Sequence, residues 1–262
     1  MRRHFLRTMN RQRRSVGHFL GRDNPLKQYY VLMDSPSLAE RLRSIDSMRA
    51  TIAERRAGTN GNLVQAIQEK LRFLWTYHSN AIEGSRLTLA DTIFFLREGL
   101  TVGGKPLKDF LDAANHSEAL DYLDDIIRGE HAISCHLLRS INGLLLKGIE
   151  TIPSVDGQGN RVQKRLNRGK YKLDPNYVVK LDGKVREYVE PHLVDGQLMD
   201  LCEWVSSSEC HPVVTASVAH YNMVRIHPFQ DANGREARLL MNLILMRKSY
   251  YPAVIKIEDR VG

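Results

Sequence analysis

The chain has 262 residues, enough for one large domain or two small ones with a proper core. Its apolar, charged and aromatic fractions of 42%, 26% and 7% are ordinary for a globular protein, and no apolar run approaches the ~20 residues that span a bilayer. The net charge of +8 is no warrant for a nucleic-acid-binding body, because residues 1–22 carry seven arginines and no acid and the rest holds 31 basic against 30 acidic residues.

In chain order, residues 1–27 read as a basic, disordered tail; a mitochondrial transit peptide and a nucleic-acid arm share that composition. Residues 28–105 read as an N-terminal helical region. Leu38, Leu42, Ile45, Met48 and Ile52 recur at helical steps as far as Ala57, and Ala57–Asn62 is loop by composition. A second helix starts near Leu63, carries Ile67, Leu71, Leu74 and Trp75 on one face, and runs toward His78-Ser79-Asn80. Thr88 is placed to N-cap a third through Phe94, Phe95 and Leu96.

A long helix over Leu107–Ile127 turns Leu111, Ala114, Leu120 and Leu123 inward, and another covers His136–Leu146. Thr151–Val194 breaks the pattern. Its β-preferring residues come in short groups, Tyr171, Tyr177-Val178-Val179 and Val185, which predicts loop and a β-hairpin turning at Asp182-Gly183. Helical periodicity returns at Asp200–Ser206, and Pro212 suits the first turn of a helix running through Val214, Val218 and Tyr221 to His227. The three cysteines, Cys135, Cys202 and Cys210, are scattered without a CxxC pair, which fits a reducing compartment better than a zinc site or disulfide framework.

The segment His227-Pro228-Phe229-Gln230-Asp231-Ala232-Asn233-Gly234-Arg235-Glu236-Ala237-Arg238 is the densest in chemistry. The run Leu239–Met246 that follows is too continuous for a solvated face and reads as a buried helix. The expected order is loop, Asn-Gly turn, helix. Backbone N–H groups at such a start lack intrahelical partners and suit a phosphate, and Arg235 and Arg238 emerge on one side of the first turn. His227 and Asp231 then stand at the mouth of a polyphosphate cradle. The plain alternative is a helix cap with surface arginines, and Glu236 and Ala237 read as ordinary helix positions.

These residues resemble the signature of the Fic (filamentation induced by cyclic AMP) family, HxFx(D/E)GNGRxxR. His227, Phe229, Asp231, Asn233, Gly234, Arg235 and Arg238 match, while Ala232 stands where glycine is usual; alanine keeps the backbone N–H but narrows the allowed φ/ψ range. The resemblance covers residues 28–262 and implies a mainly α fold. A Fic-type helical core over 106–262 would carry the signature between two long helices, with a β-hairpin flap before it and the 28–105 helical segment ahead. Gly169-Lys170-Tyr171 resembles the usual Gly-x-Tyr-Arg start of that flap, Lys172 replacing the arginine, and a flap offers an edge strand to an extended segment of a target. Ser79-Asn80-Ala81-Ile82-Glu83-Gly84 alone reads as a helix stop with a solvated Glu83. Beside the signature it matches the inhibitory motif (S/T)xxxE(G/N), which implies the class with its inhibitory helix on the N-terminal side. The chain stops soon after Ile255–Arg260, where the family continues into further helix.

The resemblance implies a protein adenylyltransferase that moves AMP from ATP to a Ser, Thr or Tyr hydroxyl of a protein. His227 would be the base, with an ordinary pKa near 6.5 suited to the task. Asp231 would hold Mg²⁺, or cap the helix, or both. Asn233 and the backbone of Ala232 and Gly234 would position the α- and β-phosphates, Arg235 would balance the leaving pyrophosphate, and Arg238 would bind the terminal phosphate unless Glu83 occupied it as a bidentate ion pair. Phe229 would anchor the loop. Rival readings are an AMP-removing hydrolase in which Glu83 orients water, a transferase with another nucleotide donor, and a regulatory module that binds nucleotide without turnover. Expected partners are a target-protein hydroxyl, the chain itself by automodification, and a second copy in a homodimer, but neither a membrane nor nucleic acid. The expected compartment is the cytoplasm, with the mitochondrion as the alternative raised by the arginine-rich start.

Overall fold

A computed structural model describes residues 25–30, 35–155, 158–179, 183 and 185–260. The basic stretch 1–22 and Asp182 of the expected hairpin turn lie outside the described residues. Among the described residues eight α-helices and four short strands follow one another: α1 (Pro36–Ala57), α2 (Gly61–Ile82), α3 (Leu89–Glu98), α4 (Leu107–Arg128), α5 (Cys135–Leu145), β1 (Thr151–Val155), β2 (Arg161–Arg165), β3 (Tyr177–Val179), β4 (Val185–Glu187), α6 (Pro191–Ser207), α7 (Pro212–Ile226) and α8 (Asn233–Arg247). The architecture is mainly α, with the β excursion between α5 and α6.

The helix starts are written locally. Ser35 accepts from Leu38 N–H at 3.1 Å ahead of Pro36. Thr88 and Asp91 form a reciprocal capping box, and the Ser134 hydroxyl accepts from Leu137 N–H. Pro191 and Pro212 occupy the first turns of α6 and α7, where a missing N–H costs nothing. The core is built by α4 to α8, with Leu138, Ile141, Leu198, Trp204, Met223, Leu239 and Leu243 almost wholly removed from solvent. Burial on that scale supplies the main driving force for the fold. Helix α1 has no fully buried residue; it leans on this body through Leu42 and Ile45, and Asp46 meets Tyr250 and His211.

Four expectations need correction. Helix α6 begins at Pro191, not near Asp200, because Gly196 and Pro191 mask its helical pattern while Val194 and Leu198 bury one face. The β excursion holds two separate antiparallel hairpins: Thr151 pairs with Arg165 and Val155 with Arg161 in one, Tyr177 with Glu187 in the other. Leu111 and Ala114 are only half-buried, since the N-terminal half of α4 turns Asp109, Asp112, Asn115 and His116 inward instead. The sharp turn before α8 lies at Ala232, with φ +66°, and Asn233-Gly234 is already helix.

Candidate active site

Helix α7 ends at Ile226, and His227 leaves it in the left-handed region with φ +51°, its N–H still bonded to the Met223 carbonyl at 3.1 Å. A second left-handed residue, Ala232, starts α8 and places no side chain over its amides. Each non-glycine residue so held costs about 1–2 kcal/mol, which the surrounding contacts must offset. The loop between is closed by Asn233, whose Oδ1 accepts from Phe229 N–H at 2.9 Å and whose Nδ2 donates to the Phe229 carbonyl at 2.8 Å. Each polar atom of that amide thereby holds the loop, so the Asn233 side chain is a clasp, with its second N–H and its backbone N–H left for a phosphate. Phe229 is wholly buried against Tyr171, as an anchor should be.

The connection between the two hairpins is stitched to this loop. Lys172 N–H donates to the Pro228 carbonyl at 2.8 Å, Asn167 N–H to Gln230 Oε1 at 2.8 Å, and Asn176 Nδ2 to the Phe229 carbonyl at 3.0 Å. Asn142 of α5 donates to the Asp231 carbonyl at 3.1 Å and accepts from Gly169 N–H at 3.0 Å. Gly169 has φ +65°, and a Cβ there would stand 2.8 Å from the Arg139 carbonyl oxygen. Gly169, Tyr171 and Lys172 therefore form no edge strand themselves; they tie the hairpin β3–β4 to the signature loop.

The two signature arginines have different surroundings. Arg238, 6% exposed, donates from Nε to Ser79 Oγ at 3.0 Å, and from Nη2 to the Ser79 carbonyl and to Glu83 Oε1, both at 2.8 Å. Glu83 thus meets it through one oxygen, not bidentately, because Ser79 holds the other guanidinium edge. Burial pulls the Arg238 guanidinium down, and the Glu83 charge opposes that pull. The Glu83 carboxylate lies over the first turn of α8: a Cβ on Gly234 would fall 2.3 Å from its Oε1. Arg235, 2% exposed, instead points into the α2–α4 interface, where Nη1 pairs with Asp112 Oδ1 and approaches Asn80 Oδ1 at 3.5 Å. Asp112 also takes Lys108 Nζ at 2.7 Å. The Arg235 charge, expected to balance a pyrophosphate, is matched here by Asp112 inside the protein.

His227 stacks on Tyr188, the rings 3.8 Å apart and 17° from parallel. Its Nδ1 lies 3.3 Å from the Val224 carbonyl, which only a protonated Nδ1 can serve, so Nε2 keeps its lone pair. Burial lowers its pKa to about 4; the Val224 carbonyl, Glu83 and Asp231 oppose that, and Lys172 adds to it. The ring is a neutral base through the physiological range, and the ordinary value near 6.5 is corrected downward. Tyr188 gave no sequence signal, lying in a loop with nothing periodic around it. Glu236 is a helix position but not an ordinary one: it is wholly buried, its oxygens make no hydrogen bond among the described residues, and burial pushes its carboxyl well above the usual range, opposed by the nearby Asn142 side chain.

Asp231 is the one carboxylate at a fixed position of the signature, Glu236 standing at a variable one. Its Oδ1 accepts from Ala232 N–H at 2.6 Å, which turns it along the loop and leaves the helix uncapped. No group of three or more metal-ligating side chains occurs among the described residues. A lone half-buried carboxylate with a free oxygen still fits Mg²⁺ as it is held beside nucleotides, where phosphates and waters supply most ligands.

The uncapped start of α8 thus lies between a neutral histidine and a buried arginine in a mainly helical chain. The Fic/DOC family model matches residues 132–245. The chain is 31% identical over 223 residues to protein adenylyltransferase fic-1 of Caenorhabditis briggsae (84% of this chain, 40% of that one). It is 32% identical over 227 residues to protein adenylyltransferase Fic of Nematostella vectensis (84% and 48%). It therefore spans less than half the length of these relatives. Among solved structures, a Fic-domain-containing signaling protein from Bacteroides thetaiotaomicron superposes with a TM-score of 0.70 at 27% identity, covering 83% of this chain and 76% of that one. Fic-1 of Caenorhabditis elegans gives 0.68 at 24%, covering 98% and 73%, and bears on the fold alone. Residues 132–245 are a Fic/DOC family domain.

Proposed function

We propose that this chain is a protein adenylyltransferase held in check by Glu83. The observation that carries the reading is the Glu83 carboxylate, an anion resting on the first turn of α8 beside Arg238, where a nucleotide phosphate has the same reasons to bind. His227 Nε2 takes the proton from a target hydroxyl as that oxygen bonds to the α-phosphorus. The bond from the α-phosphorus to the bridging oxygen breaks, and pyrophosphate leaves. Catalysis of this kind is positioning plus charge stabilisation, which a rigid buried loop supplies. Asp231 would hold Mg²⁺, which lends positive charge to the phosphates. Glu83 competes for Arg238 and for the space above Gly234, so ATP enters in a pose unfit for in-line attack.

A second reading, AMP removal with Glu83 orienting water, draws support from the same residue, whose side chain is 42% exposed and engages Arg238 through one oxygen only. The test uses ATP labelled at the α- or the γ-phosphate, the Glu83→Gly chain, and the same chain carrying His227→Ala, with a lysate as target. Protein label from the α-phosphate alone, lost in His227→Ala, is the expected outcome. Label from the γ-phosphate, or label retained without His227, would overturn the reading.

A further inference from the structure

The β3–β4 hairpin was expected to receive a target, yet Lys172 at its root faces inward. It is 2% exposed, and its Nζ makes no hydrogen bond among the described residues. An ammonium so placed costs several kcal/mol unless its surroundings use the charge. The Tyr188 ring lies 5.9 Å from that ammonium, and Tyr188 in turn stacks on His227. Arg186 also approaches the Tyr188 ring at 5.8 Å. The Lys172 backbone N–H is bonded to Pro228, the residue after the histidine. One short segment thus holds His227 twice, through the main chain and through a stacked ring.

We propose that Lys172 is a positioning residue for His227, its buried ammonium fixing the Tyr188 ring that in turn fixes the imidazole, and placing a charge beside it. The inference rests on the reading of His227 as the base and names what readies it. The charged groups facing His227 are Lys172, Glu83 and Asp231, of which only Lys172 disfavours the imidazolium; Glu190 is the acid whose charge reaches Lys172. A lysine, unlike the arginine usual at this place in the resemblance, can lose its proton: burial lowers Lys172 to about 8. The charge beside His227 therefore falls away above that pH.

The two ring distances hold the ammonium within roughly 10 Å of the imidazole, a span at which one buried charge moves a pKa by about one unit. The test is an NMR titration of the His227 ring in the intact chain, which needs no turnover and so separates this inference from the transfer activity. In the wild type, the His227 Cε1–H shift should show a second inflection near pH 8, reporting the lysine. Lys172→Met should erase that inflection and raise the His227 pKa by about one unit. Lys172→Arg should keep the low His227 value but lose the inflection. The acid limb of the transfer rate should move with the titration in each variant. A single inflection in the wild type overturns the proposal whether or not the variants fold. So does a Lys172→Met protein of unchanged melting temperature with an unmoved His227.

Discussion

Replacing Arg235 by alanine separates a structural role from a phosphate-binding one. The guanidinium and Asp112 are 2% and 8% exposed, so removing the arginine leaves a buried carboxylate whose remaining ion-pair partner is Lys108, at 2.7 Å and 43% exposed. Breaking a buried pair by deleting one partner costs about 3–5 kcal/mol, and the lysine brings this toward the lower end, about 3 kcal/mol. For a domain of this size that is a fall of about 6–12 °C in melting temperature. Thermal and urea unfolding would measure it, with isothermal titration of ATP on each folded variant. Arg235→Met combined with Asp112→Leu should recover most of the loss, because the charge is removed with its partner. A normal melting temperature in Arg235→Ala, together with lost ATP binding, would show that the arginine serves the nucleotide and that its pairing with Asp112 is incidental.

Glu236→Gln should stabilise the protein above pH 5 and flatten its stability–pH profile. The folded carboxyl is raised above its unfolded value, so its contribution is complete below the unfolded pKa and is lost as pH climbs through the folded one. A glutamine variant less stable than wild type at pH 8 would refute this. Asp231→Ala should abolish the dependence of ATP affinity on Mg²⁺, measured by titration with and without the ion; an unchanged metal effect would reduce Asp231 to a loop residue. Ala232→Gly should relieve the left-handed strain of about 1 kcal/mol, partly offset by the freer unfolded chain, and should leave ATP affinity unaltered; a clear loss of stability would mean that the buried methyl outweighs the strain.

What the sequence yields is local. The signature was legible because its spacing is read along one loop and one helix start, and Thr88, Pro212 and the α4 period were legible for the same reason. The partners of those residues lie far along the chain. Nothing at Arg235 points to Asp112, 123 residues away, and nothing at His227 points to Tyr188. Periodicity marks apolar faces, so it places Leu111 and Ala114 inside and misses the polar face of α4, which is buried because each of its groups finds a distant partner: Asp112 meets Arg235, Asp109 the Arg86 N–H, Asn115 the Leu145 carbonyl and His116 Thr76. The first hairpin was invisible for a related reason: a two-stranded ribbon in which most residues are exposed, with Pro153 in one strand, shows little alternation. The Ser79–Glu83 motif pointed Glu83 at Arg238, but that Ser79 holds the same guanidinium through its hydroxyl and its carbonyl emerges only in three dimensions.

The most direct test of the account compares automodification by wild type, Glu83→Gly, Arg238→Ala and the double variant, using α-labelled ATP. Glu83→Gly should label far faster than wild type, since Arg238 and the space over Gly234 become available to phosphate. Arg238→Ala breaks the same ion pair but removes a phosphate ligand, so it should stay slow, and the double variant should match it, the non-additivity expected of residues acting as a unit. Arg238→Ala labelling as fast as Glu83→Gly would make the arginine a latch and contradict the account, as would a Glu83→Gly protein no faster than wild type.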